Sequence, residues 1–181
     1  MMRILLGLTM LAVFPSVVIA AAPTTREGKT YSDPGKTFTV AAPEPWLRHP
    51  DLEKANKAIV LGLQYGPSNE GEGRPTFFVL NMGKAPGELE EIARGMIDSA
   101  RKTQKDQKDV ASTEKATLDG ERAVAVNYLL TKDGAPMRIR GIVARRGGNL
   151  YVAQFVSHMD EWKQNEPAGQ AVFESFKWSN K

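Results

Sequence analysis

Each of the chain's two histidines opens the same short pattern, a His-x-Asp step with a glutamate close behind. His49, Asp51 and Glu53 form one segment, and His158, Asp160 and Glu161 the other. Imidazoles and carboxylates are the ligands of zinc and iron centres, and a histidine near an acid can also move protons at neutral pH. A metal centre commonly needs three protein ligands. Here two imidazoles and some acids come from loops far apart in the chain. The simpler reading places His49 in the turn after Trp46, ahead of Pro50, and lets Asp160 cap or orient a turn that follows a strand. Trp162 would then cover a sheet edge.

The other chemical signatures fail on spacing. The sequence has no Gly-x-Ser-x-Gly elbow and no His-Glu-x-x-His. Ser157 stands beside His158, but neighbouring side chains on a strand point to opposite faces. Glu90 and Glu91 read as surface charge on a helix. "GKT" occurs at Gly28 to Thr30 and again at Gly35 to Thr37. A phosphate-cradling loop requires a glycine five residues before that motif, where Pro23 and Thr30 stand instead. No catalytic residue, metal ligand or cofactor is assigned.

"APMRIRGIVARR" offers a binding surface rather than a reaction. Arg138 and Arg140 alternate with Ile139 and so share one face of a strand. With a two-residue turn at Gly147-Gly148, Arg140 falls opposite Phe155, and Tyr151 points to that same face. Arginines beside aromatics suit an anionic ligand or a protein partner. The competing reading is a sheet end that no helix covers, its arginines solvated.

The whole chain bounds these options. At 181 residues it points to one domain, and 41% hydrophobic with 25% charged residues is ordinary for a globular protein. The absence of cysteine excludes disulfides, thiolate metal sites and thiol nucleophiles. A net charge of +3 with interspersed signs gives no footprint for nucleic acid. The first residues are more specific. Arg3 precedes an apolar run from Ile4 to Ile19 and then small residues, the pattern of a secretory signal over 1–20, cleaved to leave Ala21. A retained membrane anchor is the alternative, disfavoured by Pro15 and the short run. No later segment is apolar enough to span a bilayer.

Residues 21–36 are polar and turn-rich, and a loose leader is expected there. The rest, 37–181, reads as strands with two helices. "TFFVLNMG" is apolar on both faces, which requires a sheet covered on both sides. In "GELEEIARGMIDSARKTQ", Leu89, Ile92, Ala93, Met96, Ile97 and Ala100 make one helical stripe, with Glu90/Arg94 and Asp98/Lys102 four apart. Asp119-Gly120, Asp133-Gly134 and Gly147-Gly148 mark hairpins of a four-strand meander from about Val110 to Val156. Asn165 and Pro167 signal the start of a closing helix.

Four segments then occur in a known order: "FTVAAPEPW", "TLDGERAVAVNY", "GGNLYVAQFV" and "FESF". In this the chain resembles the PsbP-like and DcrB-like proteins of the Mog/PsbP superfamily over about Thr37 to Trp178. Phe38, Trp46, Leu118, Tyr151, Phe155 and Phe176 match core or turn positions, and none carries chemistry. The resemblance implies an α+β fold, an α/β/α sandwich around a mostly antiparallel sheet of about seven strands. It also implies an exported, non-enzymatic accessory or binding protein with a protein partner in the cell envelope, in the periplasm where there is an outer membrane and otherwise secreted. A small-ligand carrier and, behind it, a hydrolase or metal-dependent enzyme are the alternatives. The patch assigned to a partner is Arg138, Arg140, Tyr151 and Phe155.

Overall fold

Alternating apolar residues in the second half of the chain produce long strands, and their turns make those strands neighbours. A computed structural model of the chain describes residues 29–33, 35–66, 76–103, 111–132 and 134–179. The expected signal, the first part of the leader, the tip at 67–75 and the polar stretch at 104–110 lie outside the described residues. In chain order the elements are β1 (Lys29–Ser32), β2 (Phe38–Ala42), β3 (Trp46–Arg48), α1 (Pro50–Ala55), β4 (Ile59–Tyr65), β5 (Thr76–Gly83) and α2 (Leu89–Thr103). They continue with β6 (Ser112–Leu118), β7 (Glu121–Lys132), β8 (Ala135–Arg146), β9 (Asn149–His158), a 3-10 turn (Met159–Glu161), α3 (Trp162–Ser175) and β10 (Lys177–Trp178).

Seven strands form an antiparallel sheet in the order β3-β4-β5-β9-β8-β7-β6. The meander β6 to β9 is as the sequence predicts. Asp119 and Gly120 (φ 46° and 81°) and Gly147 and Gly148 (φ 57° and 74°) take the left-handed conformations that two-residue hairpins need. The meander joins the N-terminal strands through one pairing, β9 with β5, in which Phe78 lies opposite Phe155 and Leu80 opposite Ala153.

The sheet is covered on both sides, as the doubly apolar β5 requires. On one face, Leu89, Ile92, Ala93, Ile97 and Ala100 of α2 pack against Val124, Val126, Ile139, Val143, Val152 and Val156. On the other, α3 and a second, three-stranded sheet β1-β2-β10 bury an aromatic core that includes Phe38, Trp46, Phe78, Tyr151, Phe155, Phe176 and Trp178. Side chains along β9 alternate between the two: Leu150 and Val152 face α2, while Tyr151 and Ala153 face α3. The α+β sandwich is therefore as expected, with a small sheet added to one outer layer.

Three local expectations are corrected. The leader is not loose throughout, because Lys29–Ser32 forms β1, which pairs with β2 from Lys29↔Ala42 to Ser32↔Thr39. The closing helix begins at Trp162 rather than near Asn165, with Pro167 inside it. The buried Trp162 ring lies 5.0 Å from Phe155, which anchors the helix earlier, and Pro167 lies on its exposed side. A third helix, the short α1, lies over β4 through Leu52, whose Cβ is 3.0 Å from where a Cβ on Gly62 would stand.

The ion pairs expected along α2 also form differently. Glu90 reaches across to Arg122 of β7 at 2.7 Å, Arg94 donates to the Glu90 backbone carbonyl, and Asp98 pairs with Arg101. Bonding to Arg122 holds the Glu90 carboxyl below its ordinary range.

Candidate functional site

Most of the side chains capable of chemistry are held in structural roles. His158 is buried at the end of β9, where its Nδ1 accepts from the Asp160 backbone N–H at 3.3 Å and lies 3.4 Å from the Asp160 carboxylate. The expected capping is reversed, since the histidine caps the turn. His49 stands at the start of α1, its ring 6.2 Å from Phe77 and its buried Nδ1 without a hydrogen-bond partner. Among the described residues no three or more His, Asp or Glu gather where they could hold a metal.

Ser157 points to the face opposite His158, as strand geometry demands. It is fully buried, its hydroxyl 3.0 Å from that of Thr76, and the Asn165 amide donates to both. That triad ties β5, β9 and α3 together. On the α2 side a second buried chain runs from Asn81 to Gln154 to the Tyr128 hydroxyl. Burial pushes the Tyr128 phenol far above its ordinary pKa, so it stays neutral. Polar groups inside a core require such partners.

The second "GKT" lies in a turn that does cradle an anion, one the chain itself supplies. Asp33 accepts from the backbone N–H of Thr37 at 2.6 Å, of Gly35 at 3.2 Å and of Phe38 at 3.3 Å, and from the Thr37 hydroxyl at 3.0 Å.

The arginine patch divides in two. Arg140 does lie opposite Phe155, with Arg138 opposite Ser157. Tyr151 and Phe155, however, are 2% and 1% exposed and belong to the aromatic core, so they are removed from the surface. Tyr151 lies further along β9, under Phe38 and Trp178. What the arginines meet is α3. The Arg138 guanidinium lies over the Trp162 indole, 4.7 Å from its centroid, and Arg140 Nη1 stands 3.7 Å from Glu166 Oε1. Two residues along a strand advance about 6.7 Å and four along a helix about 6 Å, so the pairs 138/140 and 162/166 match in spacing. That complementarity across sequence-distant segments is the signal that local patterns miss.

The corner is incompletely satisfied. Arg138 Nε, Arg140 Nε and Trp162 Nε1 are buried N–H groups with no hydrogen-bond acceptor. The contrast with the other tryptophans is direct: Trp46 Nε1 donates to the Ala168 carbonyl at 3.3 Å and Trp178 Nε1 to the Leu118 carbonyl at 2.8 Å. The Arg140–Glu166 contact is too long for a hydrogen bond. A buried donor without an acceptor costs about 1–3 kcal/mol. The arrangement can bind an anionic or carbonyl group.

No protein-family model matches the chain, and no curated protein matches it in sequence. Its structure is similar to that of PsbP (CyanoP) from Synechocystis, with a TM-score of 0.61 at 13% identity over 89% of this chain and 98% of that one. It is also similar to LpqN of Mycobacterium tuberculosis, described as involved in cell envelope biogenesis, with a TM-score of 0.53 at 17% identity over 84% of this chain and 86% of that one. A Pseudomonas aeruginosa protein of unknown function, described as a putative regulator, gives a TM-score of 0.52 at 13% identity over 86% of this chain and 99% of that one. At these identities the likeness is one of architecture, and the chain carries the PsbP-like fold.

Proposed function

We propose that the protein is an exported, non-catalytic accessory or binding protein of the cell envelope, and that it meets its partner through the corner formed by Arg138, Arg140 and α3. The observation that carries this reading is the division of labour among polar side chains. Ser157, Thr76, Asn165, Gln154, Tyr128 and His158 are buried in the fold's own hydrogen bonds, whereas the donors at the arginine corner lack acceptors. Export rests on the N-terminal pattern of Arg3, the apolar run and the small residues before Ala21. The description of LpqN as an envelope-biogenesis protein is consistent with that compartment. Among the described residues no helix is long and apolar enough to cross a membrane.

The test is cell fractionation of a C-terminally tagged chain, N-terminal sequencing of the product and cross-linking within the native envelope. A product beginning at Ala21 in the exported fraction, cross-linked to a defined protein, is expected. Retention of the full-length chain in the cytosol, or turnover in a broad hydrolase screen, would refute the reading.

A further inference from the structure

The unmet donors of the arginine corner indicate which group would complete it, an inference that rests on the binding role proposed above. The Arg138 guanidinium lies against the Trp162 ring, which restricts its tilt and presents its donor edge in a defined plane. Two oxygens of a planar carboxylate suit such an edge. The corner already holds one poorly placed carboxylate, Glu166, which sits 3.7 Å from Arg140 while both side chains remain about two-fifths exposed (37% and 41%). The Nε atoms themselves are covered, so docking requires side-chain movement at the corner, where Arg140 and Glu166 are partly exposed.

We propose that this corner docks a carboxylate of an acidic segment in a protein partner, and that Glu166 is a resident stand-in displaced on binding. Charge complementarity selects that occupant. Arg138, Arg140 and Lys163 are interleaved with Asp160, Glu161 and Glu166, so the region has no broad positive field. An anionic membrane presents a plane of negative charge that would meet those acids as well as the arginines. A flexible acidic segment can place one carboxylate at the arginines and hold its others away from those acids. Attraction is therefore short-range, and mutations should act mainly on the dissociation rate.

The three indole N–H groups supply the readout, because two are bonded to carbonyls and Trp162 is not. Purified isotope-labelled protein is titrated with a capped hexaglutamate peptide and followed by NMR. Saturable movement of the Trp162 indole signal is expected, with Trp46 and Trp178 unmoved. Arg138→Gln with Arg140→Gln should raise Kd roughly tenfold or more, since each lost charge-assisted contact is worth at least about that factor. Glu166→Gln should lower Kd roughly threefold, as one exposed ion pair is released. The unmoved Trp46 and Trp178 signals confirm that each variant is folded, and Arg140→Gln alone serves if the double variant is not.

No movement of Trp162, equal movement of all three indoles, or equal response to inorganic phosphate at matched charge overturns the proposal. So does adsorption to phosphatidylglycerol vesicles without a response to hexaglutamate. A partner cross-linked in the envelope while hexaglutamate leaves Trp162 unmoved removes the acidic docking and leaves the binding role standing. A cytosolic chain that still binds the peptide does the reverse.

Discussion

At the turn before β2, N–H and O–H donors of Gly35, Thr37 and Phe38 converge on the buried Asp33 carboxylate. Near the start of β8, donors of Arg138, Arg140 and Trp162 are buried as well, and no acceptor meets them. Both regions concentrate positive partial charge. One is closed by an acid only a few residues away in sequence, and the other is left open beside an acid held at 3.7 Å. An anion cradle in this fold is thus structural when its acceptor is local and rigid. It is a candidate for binding when the acceptor is distant in sequence and only loosely engaged.

The largest expected effect comes from opening the closed cradle. Asp33→Ala leaves several donors without their acceptor and should cost roughly 3 kcal/mol in chemical denaturation. Asp33→Asn keeps a carbonyl oxygen and should cost less. Loss of less than about 0.5 kcal/mol in the alanine variant would end the distinction between the two regions.

A second substitution disturbs the open corner through its support. Gly169 lets α3 approach β9 so closely that an added Cβ would enter the Phe155 ring. Gly169→Ala should destabilise by about 1–3 kcal/mol and shift the Trp162 indole resonance, since Trp162 packs on the same ring. A destabilised variant with an unmoved Trp162 signal would separate the corner from the seating of α3.

Removing the open corner's own charge should matter far less for folding. A partly exposed cation over an indole contributes about 0.5–1 kcal/mol, so Arg138→Gln should change stability by no more than that. A loss above about 2 kcal/mol would make Arg138 a structural residue and the corner a closed one.

The smallest effect concerns a third cradle, intermediate in exposure. Asp119 accepts from Lys177 Nζ at 2.9 Å and from the Trp178 backbone N–H at 2.8 Å, bonds that hold its carboxyl below the ordinary range. A carboxyl depressed in the folded state stabilises fully above its unfolded pKa, and that contribution fades as pH falls through the folded value. Asp119→Asn should therefore flatten the stability profile on the acid side of the usual carboxylate range, more at low salt than at high. An unchanged acid limb would show that the Lys177 and Trp178 contacts do not couple to folding.

The legible parts of this molecule are those whose signals repeat locally. The α2 stripe from Leu89 to Ala100 and the glycine-marked turns of the meander can be read because helix and hairpin geometry are set within a few residues. Strand β1 is illegible, since its polar "KTYS" becomes a strand only by pairing with β2. The start of α3 misleads because Asn165 and Pro167 carry strong local signals, which the burial of Trp162 against Phe155 overrides. Alternation puts Arg138 and Arg140 on the correct face, but Tyr151 and Phe155 are core. The pattern gives a residue's side of a sheet and says nothing of which stretch of that side a helix covers.

Sequence alone dictates the sandwich: periodic apolar residues choose helix or strand, and a strand apolar on both faces demands two covering layers. Which polar groups find partners is settled at the tertiary level. Trp46 and Trp178 meet carbonyls and Trp162 does not, although nothing in their local sequences distinguishes them. Burial follows averaged hydrophobicity, which neighbours can report. A hydrogen bond depends on tenths of an ångström between groups far apart in the chain, and those positions exist only once β9 has closed on β5 and α3 has settled over them.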